Sequence, residues 1–332
     1  MNGSRFLPLH EVPRSAVEVF LRTRGLEPAV IDWKYFDSDF NRGRLRGYVW
    51  CLDGVLRGFV GLIPYILATP AGPQRAAWTC DWALETPDSA PGMGILLYRK
   101  VAEAQGWLTA LGGNEVTRRM LPRMATHTVE SAANVWHKPM RAGIFLRKLG
   151  GRIGQKLALT RLGWLPLSTL PRRQPSGVEV TNGVAAELAP FLTAGRLQAG
   201  PQYELDYVRW QIARCPVLRA MTFWSSDSCA ALTWHPLGEI ETWRAMMWLT
   251  EDPHEAPLVL AELLRTAGDR GAAVVSVLSS PGDKALNALL KRAGFLRART
   301  PRPLYLFAPP GAEYPSKFAR HSWLDTDLAY RF

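Results

Sequence analysis

From Leu45 to Leu52 and again from Val55 to Leu67 the chain runs in short stretches rich in aliphatic and aromatic residues, and Asp53-Gly54 between them is the dipeptide that a tight hairpin favours. This predicts an antiparallel pair. A turn across Thr69-Pro70-Ala71-Gly72-Pro73 leads to a third strand, Ala76 to Glu85. A helical pattern from about Gly92 to Gln105 follows, then an apolar run from Trp107 to Leu111 and a second helix from about Asn114. The predicted order is β-β-β-α-β-α.

The same order returns further on. Val217 to Trp224, Cys229 to His235 and Glu241 to Thr250 read as strands, Glu255 to Ala267 as a helix, Ala272 to Leu278 as a strand and Lys284 to Ala293 as a helix. A last strand, Phe295 to Phe307, is interrupted by Pro301 and Pro303. A short helix, about Ser15 to Arg24, precedes the first copy, and Ala185 to Thr193 is its counterpart before the second. Two copies of one architecture is the simplest account. The expected division is a first domain over 1–137, a linker over 138–176 and a second domain over 177–332.

Composition changes this picture in one place. At 332 residues, with 47% hydrophobic residues, the chain can fill two cores, and its net charge is +11. Lys138, Arg141, Arg147, Lys148, Arg152, Lys156, Arg161, Arg172 and Arg173 fall in the expected linker, which holds no acidic residue. Most of the excess charge therefore sits in one segment. The four cysteines, Cys51, Cys80, Cys215 and Cys229, are far apart and match no metal-ligand spacing, so reduced thiols and no metal are expected. Phe59 to Ala68, the most apolar stretch, is about half the length that spans a bilayer. The start lacks the features of a secretory signal, which makes the cytoplasm the expected compartment.

Gly92 and Gly94, in Ser89-Ala90-Pro91-Gly92-Met93-Gly94, stand between a strand and a helix. Glycines there let backbone N–H groups approach an anion, and the helix N-terminus adds positive partial charge. The other reading of Gly-x-Gly is a plain turn. A nicotinamide-binding loop fits poorly, because no third glycine follows at the required spacing. In the second copy the junction is Glu251-Asp252-Pro253-His254-Glu255-Ala256-Pro257, without glycine and with three acidic residues, which predicts a site that repels phosphate.

A hairpin sheet, a strand, this Gly-x-Gly turn, a helix, a strand and a helix resemble the GCN5-related N-acetyltransferase superfamily over nearly the whole chain. In tandem, the two copies resemble bacterial polysaccharide and cell-envelope acyltransferases and Fem-type aminoacyl transferases. The resemblance implies an α/β (α+β) fold of two domains, each with a mixed, largely antiparallel sheet flanked by helices. It implies an acyl-CoA donor, with Ala83 and Leu84 holding the pantetheine arm, Ser89, Gly92, Met93, Gly94 and Ile95 at the pyrophosphate, and Asn114 flanking the arm. Ser89 departs from the Arg or Gln usual at its position.

Within that resemblance the strand before the loop carries the base, and here it offers Asp81 and Glu85. Asp81 lies among apolar neighbours, where burial raises a carboxyl group's affinity for its proton; the competing reading pairs it with one of the arginines. Glu85 also reads as an exposed loop carboxylate, and Cys80 as a buried structural cysteine. The helix after Asn114 has no tyrosine to serve as thiolate acid, which leaves His127 or water. Asp32, Trp33 and Tyr35, in Ile31-Asp32-Trp33-Lys34-Tyr35-Phe36, resemble an aromatic acceptor segment of the envelope-sugar acyltransferases, and Leu205-Asp206-Tyr207-Val208-Arg209-Trp210 echoes it. Such aromatics also pin helices to sheets.

The basic segment alternates apolar patches with cations, a pattern that suits an anionic membrane face, a tRNA backbone or a solvated connector. Three functions are consistent with the sequence. They are an acyl-CoA-dependent N-acyltransferase acting on an amino sugar or similar amine of envelope glycan synthesis, small-molecule or lipid-linked; an aminoacyl-tRNA-dependent transferase; and a non-catalytic binding subunit.

Overall fold

The computed structural model describes residues 3–41, 43–85, 92–141, 177–194, 200–235, 242–250, 252, 254–315 and 321–325. Ser89, most of the basic segment, Glu251, Pro253 and the end of the chain lie outside the described residues. The first half comprises β1 (Ser4–Pro8), the helix Arg14–Arg22, a turn of π-helix Asp32–Phe36, β2 (Gly47–Leu52), β3 (Val55–Thr69), β4 (Gly72–Leu84), the helix Met93–Gln105, β5 (Trp107–Leu111), the helix Glu115–Met120 and β6 (His127–Pro139). The second comprises β7 (Glu179–Asn182), the helix Ala189–Ala194, β8 (Gly200–Gln202), a π-helical turn Arg209–Ala213, β9 (Arg219–Trp224), β10 (Ser228–Trp234) and β11 (Thr242–Thr250). The helix Ala256–Asp269, β12 (Val274–Ser279), the helix Lys284–Arg292, β13 (Leu296–Arg297) and β14 (Arg302–Phe307) complete it.

These strands hydrogen-bond into one continuous sheet in the order β1-β2-β3-β4-β5-β14-β6-β12-β11-β10-β9-β7. Of the described pairings, only β4–β5 and β11–β12 run parallel. The last described strand, β14, therefore leaves the second half and lies antiparallel between β5 and β6 of the first. Strand β6 is shared: its start pairs with β14 and its end with β12 and β13. The boundary expected at 137–138 falls inside this strand. Lys138, expected to open a solvated linker, is buried instead, and its Nζ donates to the Ala293 carbonyl at 2.6 Å, at the C-terminus of the helix Lys284–Arg292. Pro303 sits where the β14–β6 register shifts, the kind of place where a sheet tolerates a missing N–H.

Each half packs a helix on its sheet. Leu97, Tyr98 and Val101 of Met93–Gln105 bury against Trp50, Val60, Leu62 and Tyr305, while Val259, Leu260 and Leu263 of Ala256–Asp269 bury with Phe223, Leu232 and Val277. A third core lies between the halves. Trp33 and Trp210 stack there with ring centroids 4.8 Å apart. Trp33 Nε1 donates to the Trp210 carbonyl at 2.9 Å, and Trp210 Nε1 donates to the Trp33 carbonyl at 3.4 Å. This reciprocal pair marks a local two-fold relation between the two π-helical turns. Among the described residues no helix is long and apolar enough to cross a membrane.

Candidate functional site

The site begins with a defect in the sheet. Along β3–β4 the register jumps from Gly61↔Cys80 to Phe59↔Ala83, so Asp81 and Trp82 together face Val60. This is a β-bulge, which bends a strand and re-aims its side chains. Asp81 takes φ +47 there, a left-handed conformation that a non-glycine residue adopts only when its surroundings hold it. Three bases of support are visible. Lys34 Nζ lies 2.5 Å from Asp81 Oδ2, the Tyr35 hydroxyl donates to the same oxygen, and all three side chains are buried. Gly61 completes the fit, because a Cβ there would collide with the Tyr35 hydroxyl and come within 2.8 Å of Cys80 Sγ.

Just before the bulge, β4 and β5 part. Their parallel pairing covers Ala76↔Trp107, Ala77↔Leu108 and Trp78↔Thr109 and goes no further. Beyond it a cavity of about 970 Å³ opens between Thr79–Leu84 on one side and Ala110–Asn114 on the other. The helix Met93–Gln105 closes one end. Gly92 is its N-cap, at φ +83, and among the described residues no side chain caps that terminus. Positive φ explains the glycine, and a helix N-terminus beside a cavity suits an anion.

Polar side chains in the wall are few. The Thr79 and Tyr98 hydroxyls are 3.1 Å apart where the strands part, and burial pushes the Tyr98 phenol well above its ordinary pKa. It keeps its proton at neutral pH. Asn114 caps the helix Glu115–Met120, its Oδ1 accepting from Thr117 N at 2.9 Å. Arg24 and Arg302 also reach the wall, the latter from β14.

The expected site residues divide sharply. Asp81, Ala83, Leu84, Gly92, Gly94, Ile95 and Asn114 line this one cavity; Met93 begins the helix but is not part of the wall. Glu85 lies beyond it, half-exposed at the end of β4 and ion-paired with Arg57. Asp81 has its paired reading, although its cation is a lysine and not one of the arginines. His127 packs beside Tyr314, with ring centroids 5.2 Å apart, and is absent from the cavity wall. Asp32 is exposed and 2.9 Å from Arg14. Trp33 and Tyr35 are buried, Trp33 against Trp210 and Tyr35 against Asp81, so neither offers a ring face to an acceptor.

Sequence reasoning missed Lys34, Thr79, Tyr98, Arg24 and Arg302. Only Lys34 carried a signal, as a cation inside a segment of aromatic residues.

No family model matches the sequence, and no curated protein sequence matches it. Solved structures do resemble it. A GCN5-related N-acetyltransferase from Kribbella flavida superposes with a TM-score of 0.56 at 15% identity, covering 92% of this chain and 72% of that one. The fold is that of the GCN5-related N-acetyltransferases. Another of these, from Anabaena variabilis, gives 0.54 at 11% identity over 90% of this chain and 72% of its own. Saccharomyces cerevisiae N-myristoyltransferase with bound myristoyl-CoA gives 0.59 at 10% identity, over 96% and 88%. In this acetyltransferase fold the parted strands, the bulge and the Gly92 helix form one continuous cleft.

Proposed function

We propose that the chain is an acyl-CoA-dependent N-acyltransferase that uses the cavity of the first half as its donor site. The observation that carries this reading is the parting of β4 and β5 after Trp78 and Thr109, above a glycine-capped helix N-terminus. Two strand edges without a neighbour can each hydrogen-bond an extended, amide-bearing chain, which is what a pantetheine arm is. The helix N-terminus then receives phosphate. The yeast structure of similar fold holds an acyl-CoA, which supports the same class of donor.

In this reading the acceptor amine attacks the thioester carbonyl where the strands part. The C–N bond forms and the C–S bond breaks; the attacking amine passes its proton to water, and the sulfur leaves as a thiolate that water can protonate. Tyr98, protonated and within hydrogen-bond distance of Thr79, gives the departing sulfur a hydrogen bond and keeps its proton. Asp81 acts by position: engaged by Lys34 and Tyr35, it fixes the bulge that aims the backbone of β4 into the cleft. The resemblance of residues 31–36 to envelope-sugar enzymes implies an amino-sugar acceptor. The burial of Trp33 and Tyr35 removes the stacking surface that argument used, so the acceptor class proposed is an amine.

Titration calorimetry with acetyl-CoA tests the donor. Binding to the native chain that Gly92→Trp abolishes is expected. Binding of tRNA without binding of CoA would replace this reading with aminoacyl transfer, and binding of neither would leave a non-catalytic fold.

A further inference from the structure

The donor reading leaves a charge unanswered. Coenzyme A brings several phosphate charges, and Ser89, where a cation or amide is usual in proteins of this resemblance, supplies none. Among the described residues three charged side chains line the cavity: Arg24, Asp81 and Arg302. Asp81 is held by Lys34, and Arg302 lies on β14 with its guanidinium 5.4 Å from the Trp323 ring centroid, near the end of β5. Arg24 is placed differently. It follows the helix Arg14–Arg22, shares the cavity wall with Leu84 and Gly92, and is close enough to Glu85 to feel its charge.

The Arg24 guanidinium is held in place before any ligand arrives. Its Nη1 donates to the Phe20 carbonyl at 2.6 Å and to Thr23 Oγ1 at 2.9 Å, and its central carbon lies 3.4 Å from the Phe20 ring centroid. Those two bonds use one nitrogen. The Nε and Nη2 hydrogens form the opposite edge of the fork, whose spacing matches two oxygens of one phosphate. Among the described residues Arg24 makes no ion pair, since Glu85 is taken by Arg57. Partial burial costs such a cation solvation, which an anion in the cavity would restore.

Resting on the acyl-CoA reading, we propose that Arg24 is the phosphate-binding cation of the donor site, supplied from the turn after the helix Arg14–Arg22 in place of the Gly-x-Gly loop. It determines preference for a phosphorylated thioester carrier over an unphosphorylated one. It acts on donor affinity and leaves the thioester chemistry untouched.

Calorimetry on the full chain, with CoA, dephospho-CoA and pantetheine as probes, tests this without knowledge of the acceptor. Arg24→Gln keeps a polar side chain but removes the charge and the fork, and Arg24→Lys keeps the charge but loses the fork. The expected result is a loss of CoA affinity of about tenfold or more in Arg24→Gln, the scale of one charge-assisted hydrogen-bonded contact, with pantetheine affinity unchanged. Arg24→Lys should recover part of the loss. If dephospho-CoA suffers like CoA, the contact is to the pyrophosphate; if it is spared, the contact is to the 3′-phosphate. Equal weakening of CoA and pantetheine would overturn the proposal by making Arg24 a packing residue, as would undiminished CoA binding in Arg24→Gln. A native chain that binds pantetheine and CoA equally well would overturn it too, while one that binds no CoA derivative would instead remove the donor reading beneath it.

Discussion

At the bulge of the first half Asp81 turns its carboxylate to Lys34 and Tyr35; at the matching bulge of the second, where the β10–β11 register shifts after Ala231, the extra residue is Met246, fully buried. The reciprocal Trp33–Trp210 pair aligns the two π-helical turns and sets Gln211 where Lys34 stands and Ile212 where Tyr35 stands. Strand pairing differs in the same sense. In the second half β11 and β12 stay paired up to Ala245↔Val277, next to the bulge, whereas β4 and β5 part at Trp78, three residues before Asp81. At the helix N-terminus Gly92 offers no side chain of its own, while Glu255 receives Ser226 Oγ at 2.9 Å and Asp227 N at 3.1 Å. Hydrogen bonds from Ser225, Asp227 and Ser226 hold its carboxyl below the usual range. The second half thus places a carboxylate where the first places a glycine. One architecture parts its parallel strands before the bulge or keeps them paired up to it, and meets its helix with a glycine or a carboxylate.

The comparison breaks most easily at the bulge. Asp81→Ala leaves Lys34 buried without its carboxylate and should cost about 3–5 kcal/mol in denaturant unfolding. Met246→Ala should cost about 2–5 kcal/mol through the cavity it leaves. Stability alone does not separate them. Donor affinity does: calorimetry with CoA should show a loss of at least tenfold for Asp81→Ala and none for Met246→Ala. Equal donor affinities in the two variants would mean that the bulge geometry does not serve the cleft.

Much of this was legible in local pattern. The β2–β3 hairpin, the helix Met93–Gln105 and β5 follow from turn residues and periodicity within a dozen positions, and the Gly92 junction follows with them. Strand β6 was not, because its first positions are polar and its burial comes from β14, which joins it from about 170 residues away, and from β12. Asp81 could be picked out as an acid among apolar neighbours, but its partner Lys34 lies in a different element and only the fold brings them together. The aromatic echo of residues 31–36 in residues 205–210 was visible too. Read as a repeated acceptor surface it misled; two copies of one tryptophan also fit a pair that meets across a local two-fold, which is what forms.

A smaller effect sharpens how dry the second turn is. Cys215, just after the turn Arg209–Ala213, is buried, and desolvation pushes its thiol from 9.0 up to about 12. The folded chain therefore binds the thiol proton more tightly than the unfolded chain, so this group lowers stability as pH rises from about 9 to 12. Cys215→Ala removes that dependence. Denaturant titrations at pH 8 and 10.5 should show the native chain losing about 2 kcal/mol relative to the variant between the two conditions. Parallel losses would show that the thiol is hydrated and that the turn is open to water.

The smallest effect has the opposite sign. Gln211 has no exposed surface, and neither its Nε2 nor its Oε1 has a hydrogen-bond partner among the described residues. An amide in that position costs desolvation without return. Gln211→Met, close in volume, should raise stability by about 1 kcal/mol, whereas Lys34→Met at the matching position should lower it by about 3–5 kcal/mol because Asp81 loses its cation. Denaturation midpoints of the two variants should therefore move in opposite directions. Movement in the same direction would mean that Gln211 is satisfied, and that the second turn keeps a polar role which the sequence of Ile212 and Met246 around it argues against.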